Sequence, residues 1–134
     1  MKNKALFKVG RDTGVNPVAR AVAKQKLLGA VTDMRINIFQ LDHGTACESD
    51  AATMDIIITA VLVALREEPE SVDFRMMLAA KHVIEQCFAR GCIWHKEDTV
   101  TIDNALEITL KRWPKFSPYQ ANIAIKSAMG ARHG

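Results

Sequence analysis

DAATMDIIITAVLVALR, residues 50–66, contains an uncharged run of ten residues at positions 56–65, a length matched elsewhere only by residues 116–125. Met54, Ile58 and Val61 form one apolar stripe at helical spacing, and the remaining apolar residues of the stretch fill most of the other side. A helix that is apolar all round must be buried all round. The stretch therefore predicts either the central helix of a bundle or a helix in a subunit interface.

The first helix is predicted from the stretch that precedes this one. Asn16 is a suitable N-cap, and Pro17 suits the first helical position because its missing N–H costs nothing there. We expect this helix to reach about Leu41. Gly29 lies inside it and costs about 1 kcal/mol relative to alanine, which allows a bend or two shorter helices. For the second helix, Ser49 or Asp50 is the expected cap.

Three further helices follow, each marked by capping residues, prolines or glycines. Ser71 caps the third helix and Gly91 suits the left-handed position after its end. The fourth helix has Thr101 as its expected cap and Pro114 as its stop, and the fifth has Ser117 as its cap and a small-residue face before Gly130. Strand signals are almost absent. The sequence predicts an all-α fold, a compact bundle of about five helices.

Length and composition bound the class of protein. A chain of 134 residues is the size of one domain, and we expect a basic N-terminal segment at residues 1–12, which can be flexible, followed by a single helical domain at residues 13–134. No run reaches the ~18 apolar residues of a membrane span, and the N-terminus lacks a secretory signal. Three cysteines are an odd count that fits a reducing compartment. We therefore expect a cytoplasmic protein with no membrane partner.

Known catalytic motifs are missing. The seven glycines form neither a phosphate-binding loop nor a dinucleotide fingerprint, and there is no Gly-x-Ser-x-Gly turn. None of the four histidines follows a glutamate at the spacing of helical metal motifs. The sequence predicts no enzyme activity, no catalytic residue and no cofactor.

Cys87, Cys92 and His95 form the one cluster with metal-ligand character. Zinc sites take about four ligands, so a site here would need His43 or Cys47 as well. The competing interpretation is core packing, because Cys87 lies on the apolar stripe of the third helix and free cysteine behaves as a small hydrophobe. We favour packing and predict no metal site.

Charge is unevenly distributed along the chain. Residues 1–35 carry +6, residues 36–110 carry −8 and residues 111–134 carry +5, which together give the net charge of +3. If the first and fifth helices lie side by side, their basic residues make one positive surface, able to attract phosphate backbones or an acidic protein. Alternatively, the basic ends pair with the acidic middle across the bundle.

Aromatic residues lie among these basic ones in KRWPKFSPYQ, residues 111–120. Such a mixture can stack on bases or anchor a protein interface, although Trp113 also completes the apolar stripe of the fourth helix. The predicted residues for binding a partner or a nucleic acid are Arg20, Lys24, Lys26, Lys111, Arg112, Lys115, Phe116, Tyr119, Lys126 and Arg132.

GVNPVARAVAKQKLL, residues 14–28, resembles the opening of uncharacterised small all-helical accessory proteins of bacterial phages and plasmids. The resemblance implies an accessory protein of a mobile element that binds a component of the host or of the element.

The functional hypothesis is a non-enzymatic small helical regulator or inhibitor that binds a protein partner. Self-association through the second helix is compatible with it. The alternative is a regulator that binds nucleic acid through its basic N- and C-terminal helices.

Overall fold

The computed structural model describes residues 17–38 and 48–133, without the side chains of Asn37 and of residues 131–133. The described chain is all helical, which confirms the predicted compact bundle. It also contains two short 3₁₀ turns, one before and one after the fourth helix. The five helices are α1 (Pro17–Ile38), α2 (Glu48–Ala64), α3 (Val72–Ala89), α4 (Thr99–Arg112) and α5 (Pro118–His133), and the 3₁₀ turns are Lys96–Asp98 and Trp113–Lys115. The basic segment predicted at residues 1–12 lies outside the described residues.

The apolar second helix is the centre of the bundle. α2 contacts α1, α3, α4 and α5, and its side chains at Met54, Ile58 and Val61 are fully buried. Its other apolar residues are buried or half-buried. Of the two predicted roles the structure shows the central helix. It leaves no exposed large apolar side chain on α2 for the self-association expected through that helix.

Several predicted helix ends are confirmed by their hydrogen bonds. The Ser71 hydroxyl accepts from the Phe74 amide at 3.1 Å. At α5 the Ser117 hydroxyl accepts from the Gln120 amide, and the Gln120 side chain accepts from the Ser117 amide, both at 3.1 Å. This reciprocal pair is a capping box. Gly91 has φ +78°, the left-handed conformation expected after α3.

Other boundaries differ from the prediction. α1 runs through Gly29 without interruption to Ile38, whereas Asn16 and the predicted end near Leu41 lie outside the described residues. α4 begins at Thr99 and not after Thr101, directly following the 3₁₀ turn, and the buried indole of Trp94 donates to the Thr99 hydroxyl at 3.2 Å.

The observed bounds of α2 and α5 also differ from the predicted ones. α2 begins at Glu48, so neither Ser49 nor Asp50 precedes the helix, and it ends at Ala64, two residues before the predicted end. α5 continues through Gly130 to His133. Glycine keeps its backbone hydrogen bonds in a helix and costs about 1 kcal/mol relative to alanine through lost conformational freedom, a cost that α5 tolerates.

Trp113 ties the end of α4 to α1. Its side chain is fully buried, and its indole N–H donates to the Lys24 carbonyl of α1 at 3.1 Å. The prediction that this tryptophan belongs to the core is confirmed. Within the described helices, none is long and apolar enough to cross a lipid bilayer.

Candidate functional site

The predicted basic and aromatic residues separate into two places in the fold. One is the junction of α1 with the turn between α4 and α5. We call the side chains of Arg20, Lys24, Lys115, Phe116 and Tyr119 the corner surface. It exists because α1 and α5 pack together, as the charge argument required.

Lys24 holds the corner surface together. Its ammonium group donates to the carbonyls of Pro114 and Phe116 at 2.9 and 2.6 Å. A lysine is well suited to these carbonyls, because the end of a helix carries a partial negative charge and unpaired acceptors. The charge of Lys24 is therefore engaged by the backbone of its own chain.

Arg20 and Tyr119 lie against each other in the corner surface, with Arg20 half-buried and Tyr119 exposed. The Arg20 guanidinium lies 5.0 Å from the centre of the Tyr119 ring, a cation–π contact. Tyr119 is 54% exposed. The Arg20 Nε is buried without a hydrogen-bond partner among the described residues. No ion pair links this arginine to a described carboxylate.

Phe116 has a more structural position than Tyr119. Its ring meets Trp113 edge to face, with centroids 5.8 Å apart and an interplanar angle of 83°. Because Phe116 is half-buried against the core, it offers little surface for stacking. Lys115 beside it is exposed and forms no ion pair with a described residue. Tyr119 is thus the exposed ring of the corner surface.

The remaining predicted cations of α1 and α5 lie outside the corner surface. Lys26 and Lys126 are exposed and have no ion-pair partner among the described residues. Arg132 lies on α5 by its backbone, and its side chain is outside the described part.

The second group of predicted basic residues consists of Lys111 and Arg112, at the end of α4 and on the other side of Trp113 from the corner surface. Arg112 reaches Asp73 at 2.9 Å and also contacts Glu68, and Lys111 lies 3.2 Å from Asp73. We call these four residues the ion-pair cluster. It ties the end of α4 to the start of α3, so these two predicted binding residues already have carboxylate partners.

The ionisation of the ion-pair cluster follows from its geometry. Burial by itself raises the pKa of Asp73, but hydrogen bonds from Arg112 and Lys111 and their charges outweigh it and hold that pKa below its ordinary value. The hydrogen bond to Glu68 and the pairing with Asp73 raise the pKa of Arg112. Both shifts favour the charged forms of Asp73 and Arg112.

Pairing between the basic and acidic parts of the chain extends further. Arg35 of α1 bonds Asp103 of α4 at 2.8 Å. This contact and the ion-pair cluster support the alternative that the basic ends pair with the acidic middle. The positive surface that remains is smaller than the sequence suggested.

The cysteine and histidine cluster has the features of a helix end. Cys87 is 1% exposed, and the Cys92 amide donates to the Cys87 carbonyl at 2.8 Å, the hydrogen bond of a Schellman motif. Burial raises the pKa of the Cys87 thiol, followed by the influence of Cys92. Among residues 17–38 and 48–133 no group of three or more potential ligands could hold a metal ion. His43 and Cys47 lie outside that part.

Two exposed apolar residues of α1 were not predicted. Val18 is 73% and Val22 47% exposed, both on the outer face of α1. Helical periodicity could have identified their exposure, because Leu27 and Val31 mark the core side of the helix and place both valines opposite it.

Comparison with known proteins identifies no relative: no family model matches the chain, and no curated protein or solved structure matches it either.

Proposed function

We propose that the protein is a non-enzymatic helical regulator or inhibitor that binds a protein partner through the corner surface. The observation that carries this proposal is the contact between Arg20 and the exposed ring of Tyr119, in which the arginine forms no ion pair with a described carboxylate. Arginine and tyrosine are enriched at protein interfaces and at their energetic centres. A partner that supplies a carboxylate would form an ion pair with the Arg20 guanidinium and bury the Tyr119 ring.

The chemistry of the partner follows from the charges around this contact. Lys115 is an exposed lysine of the corner surface, so the corner surface is positive and attracts an acidic segment. A cellular or mobile-element protein with an acidic and apolar binding segment fits. The resemblance of residues 14–28 to phage and plasmid accessory proteins is part of this proposal.

Nucleic-acid binding remains the alternative, and the geometry favours it less. Arg112 and Lys111 are held by carboxylates, and Phe116 packs against Trp113. A phosphate backbone would find Lys26, Lys115 and Lys126, and one exposed ring in place of a stacking platform. Salt dependence separates the two candidates, because contacts with phosphate release counterions and weaken steeply with salt.

The proposal is tested by affinity purification of the tagged protein from a bacterial lysate, with and without nuclease. We expect a protein that co-purifies stoichiometrically after nuclease treatment and is lost with Tyr119→Ala and with Arg20→Gln. Arg66→Gln is the matched control, because Arg66 is exposed outside the corner surface. Loss of all bound material on nuclease treatment, or equal loss with Arg66→Gln, would contradict the proposal.

A further inference from the structure

The outer face of α1 carries an uncharged stripe along almost its whole length. Six exposed positions follow one another at spacings of four, three, four, three and four residues. This is the spacing of the contact positions in a heptad repeat, which keeps one face of a helix towards a partner helix. The six residues are Val18, Val22, Gln25, Gly29, Thr32 and Ile36. We call them the α1 stripe.

Three of the six residues in the α1 stripe are large and apolar, and none of the six is charged. Val18, Val22 and Ile36 are 73%, 47% and 64% exposed. The Thr32 hydroxyl donates to the Leu28 carbonyl at 3.0 Å, so its hydrogen bond is made within the helix. Gly29 faces open space.

This face lies opposite the core side of α1, where Leu27, Val31 and Met34 are buried. The outer face of a surface helix normally carries charged residues. An uncharged stripe at heptad spacing therefore points to a second helix that packs against α1 from outside.

We propose that the occupant is a second copy of this chain, whose α1 packs antiparallel to the first. The two-fold axis relating the two helices crosses the stripe at the height of Leu27 along the helix. Two-fold symmetry is the commonest way in which identical chains associate. The stripe is symmetric about that position, and its long Gln25 meets the open Gly29. The facing pairs are Val18 with the partner's Ile36, Val22 with the partner's Thr32, and Gln25 with the partner's Gly29.

Charge complementarity specifies this occupant and its direction. Lys26 and Asp33 lie on the same flank of the stripe, are exposed, and have no ion-pair partner among the described residues. In an antiparallel pair this flank meets the same flank of the partner, and Lys26 lies five residues, about 7.5 Å along the axis, from the partner's Asp33.

The direction in which the side chains point reduces this axial distance between the two charged groups. Side chains lean towards the N-terminus of their own helix. Lys26 and the partner's Asp33 therefore lean towards each other, whereas the two Lys26 side chains near the axis lean apart. A parallel pair would instead place Lys26 against the opposite flank, beside the partner's Leu28, where the described helix has no carboxylate.

The dimer uses a different side of α1 from the corner surface and goes beyond the proposed function. Lys24 faces the turn between α4 and α5, and Arg20 faces Tyr119 of α5. The α1 stripe faces away from both. One helix pair of 22 residues a side is a small interface, typical of weak and reversible association.

The experiment measures the oligomeric state of the whole protein by sedimentation equilibrium, up to about 1 mM because small interfaces bind weakly. We expect a monomer–dimer equilibrium whose dissociation constant rises at least about 10-fold, a change of about 1.4 kcal/mol, with Val22→Lys. Leu78→Lys is the matched control, because Leu78 on α3 is also 47% exposed. It leaves the equilibrium unchanged, and so does Tyr119→Ala.

A charge exchange tests the antiparallel pairing. Lys26→Asp and Asp33→Lys each place like charges together and weaken the dimer, and the double variant restores it. A monomer at every concentration would overturn the proposal. A dimer that Val22→Lys leaves intact, or that the control weakens equally, would overturn it as well. Failure of the double variant to restore the affinity would overturn the antiparallel arrangement.

Discussion

The ion-pair cluster and the corner surface lie on either side of Trp113 and use the same residue types differently. Arg112 in the cluster is 22% exposed and bonds two carboxylates. Arg20 at the corner contacts a tyrosine ring and has no described carboxylate. Basic residues near one another in the fold are thus divided between stabilisation and a surface open to a partner. What distinguishes them is the acidic residues that the fold brings near.

Trp113 supports both regions, and its removal should have the largest effect. Trp113→Ala deletes a fully buried indole and its hydrogen bond to the Lys24 carbonyl. We expect a loss of about 3–5 kcal/mol in the free energy of unfolding, measured by urea denaturation. Val100→Ala is the control, because Val100 is 61% exposed and its truncation should cost under about 0.5 kcal/mol. Similar losses for both variants would show that Trp113 does not join the two regions.

Breaking the ion-pair cluster should have the next largest effect. Arg112→Gln leaves Glu68 and Asp73 without their main cation, and Asp73 is largely buried. Since the pair is only partly exposed, we expect a loss of about 2 kcal/mol in the free energy of unfolding. The control Arg66→Gln removes an exposed pair and should cost under about 0.5 kcal/mol. An equal cost for both would mean that the cluster is an ordinary surface contact.

Lowering the pH tests the stabilising role of the ion-pair cluster in a second way, because the pKa of Asp73 is lowered in the fold. A lowered carboxyl pKa stabilises the protein above the unfolded value of about 4, and that contribution is lost as the pH falls through the folded value. The difference in unfolding free energy between the wild-type protein and Arg112→Gln should therefore shrink below about pH 4. Urea titrations at a series of pH values measure it. A difference that stays constant down to the lowest pH would refute the assignment.

Lys24 should contribute less, because its partners are neutral carbonyls. Lys24→Met keeps the aliphatic stem and removes the hydrogen bonds to Pro114 and Phe116. We expect a loss of about 1 kcal/mol in the free energy of unfolding. Lys126→Met, on the exposed side of α5, is the control and should leave the stability within about 0.5 kcal/mol. If the two variants unfold alike, Lys24 is free to bind and does not hold the corner together.

The smallest effect on stability is expected where the effect on binding is largest. Lys115→Glu changes an exposed residue without an ion-pair partner among the described ones. The free energy of unfolding should stay within about 0.5 kcal/mol of the wild-type value, while recovery of the acidic partner falls. Unfolding in urea and pull-down from the same preparation measure both quantities. A marked loss of stability would place Lys115 with the stabilising residues instead.

Features set by local sequence were predictable. The Ser71 and Ser117 caps, the left-handed Gly91 and the burial of α2 all depend on residues within a few positions of one another or on helical periodicity. The start of α4 was not predictable in this way. The helix begins earlier than the capping preference of Thr101 indicates, directly after the turn Lys96–Asp98 and at Thr99, whose hydroxyl accepts from the buried Trp94 indole.

The division of the predicted binding residues could not be obtained from the sequence. Arg112 and Asp73 are 39 positions apart, and charge counts do not say which acidic residue a basic one will meet. Segment charges did indicate that α1 and α5 could share a surface. They could not show that Lys24 would be bound by the chain's own carbonyls.

The most direct test of the division is to compare Tyr119→Ala and Arg112→Gln in two measurements on the same preparations. These are the free energy of unfolding in urea and the recovery of nuclease-resistant partner. We predict that Tyr119→Ala unfolds like the wild-type protein and loses the partner, and that Arg112→Gln is destabilised and retains it below its unfolding transition. Retention of the partner by Tyr119→Ala together with its loss by folded Arg112→Gln would contradict the account.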